Sequence, residues 1–391
     1  MKKVLIKGPL LTSSGYGVHA RQVFNALKTR KDIDLYTQVT NWGNCSWILD
    51  TSSKTIKDIL ECSHKTKTFK KFDESFQVLI PNEWSKIATK DFGVTAGFEC
   101  DIVKKSWIED CNSMDAVIVP SLFAKNAFLK TCKKNKINLK TKISVINEWY
   151  YRDFDKEESN SNLDIDQHFK FKKNILIFCQ VSNIDSKSDR KNLIKTITSA
   201  CDAIEDFNCG ILLKTNLGKS SNLYKKKIIE IIKERIDIKF HKKISFLFGN
   251  FSISELKSLY ENEKISCFLS GTRGEGWGLP FIEAAACGLP IIAPNHSAYK
   301  EFLGEDFIKV NYSLVTFNND PRFTDREEEP KWAEFKYKDM VDKIHLFFKN
   351  EKKFNNISVN RKKIIKQNFN FNNIVDNYTK FFESNCKWHT C

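Results

Sequence analysis

Residues Gly271–Pro290 read GTRGEGWGLPFIEAAACGLP. An apolar stretch precedes them (Ile265 to Leu269), and another follows (Ile291, Ile292, Ala293). Pro280 suits the start of a helix, where its missing N–H would have no partner in any case. Gly288 suits its end, because glycine enters the left-handed conformation without strain. The spacing predicts strand, glycine turn, helix, strand, the repeat of a doubly wound α/β sheet. Glu275 falls in the turn, and Glu283 in the first turn of the helix.

Gly276 and Gly278 let a ligand approach the backbone closely. The free N–H groups at the helix start, with the helix dipole, favour an anion such as a diphosphate. Two carboxylates beside that anion would repel it, so they suit sugar hydroxyls instead. Read without a ligand, Glu275 is a solvated loop residue and Glu283 an acid near a helix N-terminus.

The block resembles the E-x7-E motif of the retaining family-4 (group 1) glycosyltransferases. Both glutamates, the E-G-x-G-L-P run and the E-A-x-A-C-G-L-P helix are present. The resemblance implies the GT-B fold: α/β, with two Rossmann-like domains facing across a cleft. It implies a glycosyltransferase that uses a nucleotide-sugar co-substrate, a UDP-sugar by preference, and needs no metal or other cofactor. Glu275 would act on the donor sugar and Glu283 on the ribose. The backbone of Gly276, Trp277, Gly278 and Leu279 would lie near the sugar and diphosphate.

The rest of the chain is read against that pattern. A first domain covers 1–155 and takes back a crossover helix at about 369–385. A second, donor-binding domain covers 172–368. The stretch 152–173 has linker composition, and Asp164 and Asp166 within it match D-x-D only formally. The first domain opens with a strand at Val4–Lys7. A turn with Gly15 and Gly17 follows, where relatives carry a glycine-rich loop on the donor, and then a helix from Val18 to about Thr29. His19 is either an acceptor-side base or a polar residue near the helix start. Strands fit Phe76–Pro81, Ala116–Val119 and Ile143–Ile146. Between the first two, Phe92–Asp101 supplies Thr95 and Glu99 as acceptor-side candidates or as a plain polar loop. In the second domain Asp189–Leu193 reads DRKNL. Relatives place a basic pair here on the donor diphosphate, so Lys191, and less directly Arg190, are assigned to it as catalytic groups.

Length and composition fit this frame. A chain of 391 residues with 41% hydrophobic residues can build two cores. No apolar run approaches the ~20 residues that cross a membrane. The charged start, MKKVLIK, does not read as a signal peptide. Twelve cysteines without a C-x-x-C pair suggest free thiols in a reducing cytosol. Cys386, His389 and Cys391 read as a tail, not a metal site.

The formal net charge of +15 suits a polyanionic partner or reflects a lysine-rich, soluble surface. The stretches IKGPLLTSSGYGVHAR and FGVTAGFE resemble glycosyltransferases encoded by tailed phages. That resemblance implies a hydroxymethylated pyrimidine in duplex DNA as acceptor, in a host cytoplasm. Lys65, Lys67, Lys70, Lys71, Lys104, Lys105, Lys130, Lys133 and Lys134 would form a rim for phosphates, or are simply solvated faces. A lipopolysaccharide or capsule transferase touching the inner membrane surface is the alternative enzyme. A nucleotide-sugar or DNA-binding module with a relic site is the non-enzyme one.

Overall fold

The computed structural model describes residues 1–43, 45–69, 71–155, 165–179, 189–216, 221–317 and 329–385. The chain divides into two units, Met1–Trp149 with Phe369–Cys391, and Tyr150–Asn368. Tyr150 to Asp155 were expected in the first unit and belong to the second. There the Phe154 ring meets Tyr260 edge-on at 6.3 Å, and Lys366 pairs with Asp155 at 3.4 Å.

The first unit is built on β1 (Lys2–Gly8), β2 (Ile33–Val39), β3 (Phe72–Val78), β4 (Ala88–Val94), β5 (Ala116–Val119) and β6 (Ile143–Val145). Every neighbouring pair is parallel, in the order β2-β1-β3-β4-β5-β6. The strand expected at Phe76–Pro81 starts earlier and stops earlier. Its polar residues hid its beginning: buried Glu74 accepts from Lys2, and Ser75 donates to Asp91. Pro81 opens a 3-10 turn instead. The C-terminal helix Phe371–Asn385 belongs to this core. Phe381 packs on Phe92 at 5.4 Å, and Phe382 stacks on Phe76.

The second unit holds β7 (Asn174–Phe178), β8 (Gly210–Thr215), β9 (Ile244–Phe248), β10 (Ile265–Leu269), β11 (Ile291–Pro294) and β12 (Ile308–Val310). These form a second all-parallel sheet, ordered β12-β11-β10-β7-β8-β9. Its strands are near-continuous apolar runs, as a sheet covered on both faces requires. An antiparallel pair, β13 (Tyr312–Thr316) and β14 (Lys331–Phe335), was not expected from the sequence. Both units are Rossmann-like.

Candidate functional site

In the second sheet the strand order reverses between β7 and β10. Open α/β sheets bind ligands beyond the strand ends at such a point. The turn after β10 carries Glu275. Arg190 and Lys191, in the connection after β7, stand just before the helix Leu193–Ala203. Topology therefore brings together residues about 85 apart in sequence.

The three side chains meet directly. One Glu275 oxygen accepts from Lys191 Nζ at 2.6 Å and from Thr272 Oγ1 at 2.8 Å. The other accepts from Arg190 at 2.9 Å, and the same guanidinium nitrogen donates to the Gly274 carbonyl at 2.6 Å. Glu275 is only 6% exposed. Burial pushes its carboxyl up, but the Lys191 and Arg190 charges and the bonds from Lys191 and Thr272 outweigh it and hold the group at about 2. Sequence reasoning assigned the carboxylate to the sugar and the basic pair to the diphosphate. In the structure they are one ion cluster.

A surrounding layer fixes this cluster, and sequence reasoning missed it. Arg273 donates from Nε and from a terminal nitrogen to Glu334 of β14, each at 2.7 Å. Glu334 also accepts from Lys195 and from Asn192. The β13–β14 pair is thereby tied to the connection that carries Arg190 and Lys191. Asp189 accepts from the Leu193 amide at 3.0 Å, and burial pushes its carboxyl up. Ser297 contacts the main chain of Glu275. No short sequence motif announces Glu334 or Ser297, because their partners lie on other connections, and Thr272, three residues before Glu275, is one more polar residue in a glycine turn.

Glu283 differs from its expected place. The helix runs Leu279–Cys287 behind Gly278, whose φ is +100°, so Glu283 is its fifth residue and lies beyond the first turn. It is 5% exposed and accepts from the Tyr260 hydroxyl at 3.0 Å. Burial raises its carboxyl to about 8, although the Tyr260 bond pulls the other way. The Trp277 side chain is buried against Phe302, ring centres 4.8 Å apart, so its ring is turned into the core, and Leu279 is half-buried at the helix start.

The first unit holds the remaining candidates. Gly15 and Gly17 were expected in a turn before the helix. They lie inside its first turn, Gly15–Lys28, because the Ser14 side chain caps the Gly17 amide at 3.0 Å. A Cβ on Gly17 would sit 2.2 Å from the Thr12 carbonyl, whereas one on Gly15 would meet nothing within 4 Å. Thr95 is buried and bonded to the Tyr16 hydroxyl at 2.8 Å, and Tyr16 stacks on Trp42. Glu99 is half-buried. His19 is 2% exposed, and burial lowers it to about 4, so it is neutral at pH 7. Its Nδ1 is 3.9 Å from buried Glu148, which sequence reasoning did not single out.

Several lysines of the anticipated rim are engaged. Lys65 pairs with Asp34 and Lys130 with Asp101. Lys70, Asp164 and the tail residues Cys386, His389 and Cys391 lie outside the described residues. Asp166 accepts from Lys264 at 2.9 Å. The described cysteines are free thiols. Among the described residues no cluster of three metal-ligating side chains occurs, and no helix is long and apolar enough to cross a membrane.

Residues 166–326 match the family model for group 1 glycosyl transferases. Comparison with curated protein sequences finds no match. Solved structures with the same fold include HepE of Anabaena, in complex with UDP-glucose. It is 13% identical with a TM-score of 0.61, and the match covers 98% of this chain and 100% of that one. WaaG, involved in lipopolysaccharide biosynthesis, is 11% identical with a TM-score of 0.58, over 97% and 99% of the two chains. TarM of S. aureus, in a complex that includes UDP, is 15% identical with a TM-score of 0.52 over 79% of this chain. The match spans only 55% of TarM. The chain has the GT-B fold, and the stretch of its second unit that matches the group 1 glycosyl transferase model holds the Glu275 turn and the connection with Arg190 and Lys191.

Proposed function

We propose that the chain transfers a sugar, with retention, from a nucleotide-sugar donor to an acceptor hydroxyl. The observation that carries this reading is the convergence of Arg190 and Lys191 on buried Glu275 at the strand-order reversal. Breaking the sugar–phosphate bond builds negative charge on the leaving diphosphate. Two fixed cations and the start of the helix Leu279–Cys287 stabilise that charge where it develops. Without donor, Glu275 is their counter-ion. With donor, the diphosphate takes over both cations, and the freed carboxylate accepts from sugar hydroxyls. Glu283 faces the ribose, and the diphosphate itself takes the acceptor proton. A UDP-sugar is the donor of choice, since HepE and TarM of the same fold are each seen with a uridine nucleotide. The chemistry asks for no metal.

The acceptor reading is a hydroxymethylated pyrimidine in phage duplex DNA, reached in the host cytoplasm. A net charge of +15 supports it. His19, Thr95 and Glu99 would stand on the acceptor side, with Gly15 and Gly17 close to the donor. The likeness to WaaG supports the second reading, a cell-surface glycan acceptor. A relic binding module is the poorer account of an intact Glu275, Lys191 and Arg190 cluster.

The test is transfer from mixed UDP- and GDP-sugars onto duplex DNA containing 5-hydroxymethylcytosine, read by nucleoside mass. A hexose- or pentose-sized gain supports the DNA reading. Donor breakdown without gain moves the acceptor to a glycan. No donor breakdown at all removes the enzyme reading. DNA affinity should also fall steeply with salt, and salt-independent binding would count against DNA.

A further inference from the structure

Among the described residues, four that are not glycine take a positive φ: Lys136, Asn192, Ser297 and Glu329. Lys136 closes a helix, where a single left-handed residue is common, and Asn192 opens one, as an asparagine, a residue type that tolerates this conformation. Ser297 is different. Its φ is +80°, it is 7% exposed, and it lies in the connection after β11. Its hydroxyl accepts from the Glu275 amide at 2.5 Å and donates to the Glu275 carbonyl at 2.7 Å. One side chain thus closes both main-chain groups of one residue, 22 positions away. That residue sits in a turn containing Gly271, Gly274, Gly276 and Gly278, whose backbone freedom is the greatest any sequence offers.

We propose that Ser297 is a positioning residue for Glu275. It immobilises the main chain of the glycine turn, so that the carboxylate stays within reach of Lys191, Arg190 and Thr272. The inference rests on the role given to Glu275 above. It explains why an uncommon backbone conformation persists at this point: the left-handed turn aims the hydroxyl at the Glu275 amide and carbonyl, and it acts beside Arg190 and Thr272, which hold the Gly274 carbonyl. Strain is retained at sites where the geometry is used.

Two variants separate positioning from plain stability. Ser297→Gly removes the hydroxyl and relieves the strain, whereas Ser297→Ala removes the hydroxyl and keeps it. Exchange of the Glu275 amide with solvent deuterium should accelerate about tenfold or more in both, relative to the rest of the second unit. Donor breakdown, measured with mixed UDP- and GDP-sugars, should fall about a hundredfold in kcat in both, with KM moving less. Melting temperature should instead rank Ser297→Gly above Ser297→Ala. An unchanged Glu275 amide overturns the inference. So does a kcat that follows melting temperature, with Ser297→Gly near wild type. If the wild-type protein breaks down no nucleotide sugar, the enzyme reading fails, and amide exchange still decides the clamp.

Discussion

Glu275 in the glycine turn and Glu283 in the helix behind it are almost equally buried, at 6% and 5% exposure. Their surroundings are opposite. The first faces two cations and a threonine hydroxyl; the second has a tyrosine hydroxyl in an apolar helix packing. Burial alone pushes both carboxyls up. Only at Glu275 is it overruled, so one group sits at about 2 and the other at about 8. A motif that treats the two glutamates as a pair conceals a division of labour: at pH 7 Glu275 is a carboxylate and most of Glu283 is a neutral acid. A neutral acid both donates and accepts, which would suit the ribose contact proposed above. A carboxylate would suit the proposed exchange, in which the cations pass to a stronger anion.

The contrast can be broken most severely from the cation side. Lys191→Ala should lower donor turnover by about a thousandfold with the fold intact, since the developing charge loses a fixed partner. Near-normal turnover would take Lys191 out of the chemistry. Glu275→Gln comes next. A depressed carboxyl adds stability that is present above its unfolded value of 4.5 and is lost as pH falls toward 2. The variant should therefore be less stable than wild type at pH 7 by about 3 kcal/mol, and the difference should shrink across that acid window. Denaturant titrations at several pH values test this. The same variant should bind UDP more tightly, because the resident counter-ion is gone; weaker binding would argue against exchange of partners.

Glu283→Gln should act in the opposite direction. A raised carboxyl adds stability that is complete below 4.5 and is lost as pH climbs through 8. The variant should thus gain roughly 2 kcal/mol or more over wild type at pH 9 and little at pH 5. Melting curves at both values suffice, and an equal effect at the two would mean that Glu283 is ionised throughout. The mildest change is Thr272→Val, which removes one bond to Glu275. It should cost about 1 kcal/mol, and a loss as large as that of Glu275→Gln would shift the credit from the cations to the hydroxyl.

The strand–turn–helix–strand unit was legible because glycine and proline punctuate it and apolar runs bracket it. Arg190 and Lys191 were legible as residues, but not as partners of Glu275, because their contact depends on which two strands flank the reversal. Glu334 was invisible for a related reason. It lies on β14, whose strand pair is split in sequence by residues 318–328, and nothing nearby marks it as a ligand of Arg273. The charge state of Glu283 is set by what packs around it, and no spacing rule contains that. In the first unit polar residues obscured a buried strand, because the partners of Glu74 and Ser75 stand on neighbouring strands.

The helix Phe371–Asn385 has a further consequence, one that concerns synthesis. The first unit's core needs Phe381 and Phe382, yet the whole second unit separates them from Phe76 and Phe92 in the chain. A ribosome adding about 5–20 residues per second spends roughly 10–40 s on that insertion. Throughout that interval Phe76 and Phe92 lack the cover that Phe381 and Phe382 give them. Order of manufacture and order of completion are therefore reversed: the unit begun first is finished last, and a nascent chain halted after Asn368 displays Phe76 and Phe92 to whatever chaperone or aggregate reaches them first.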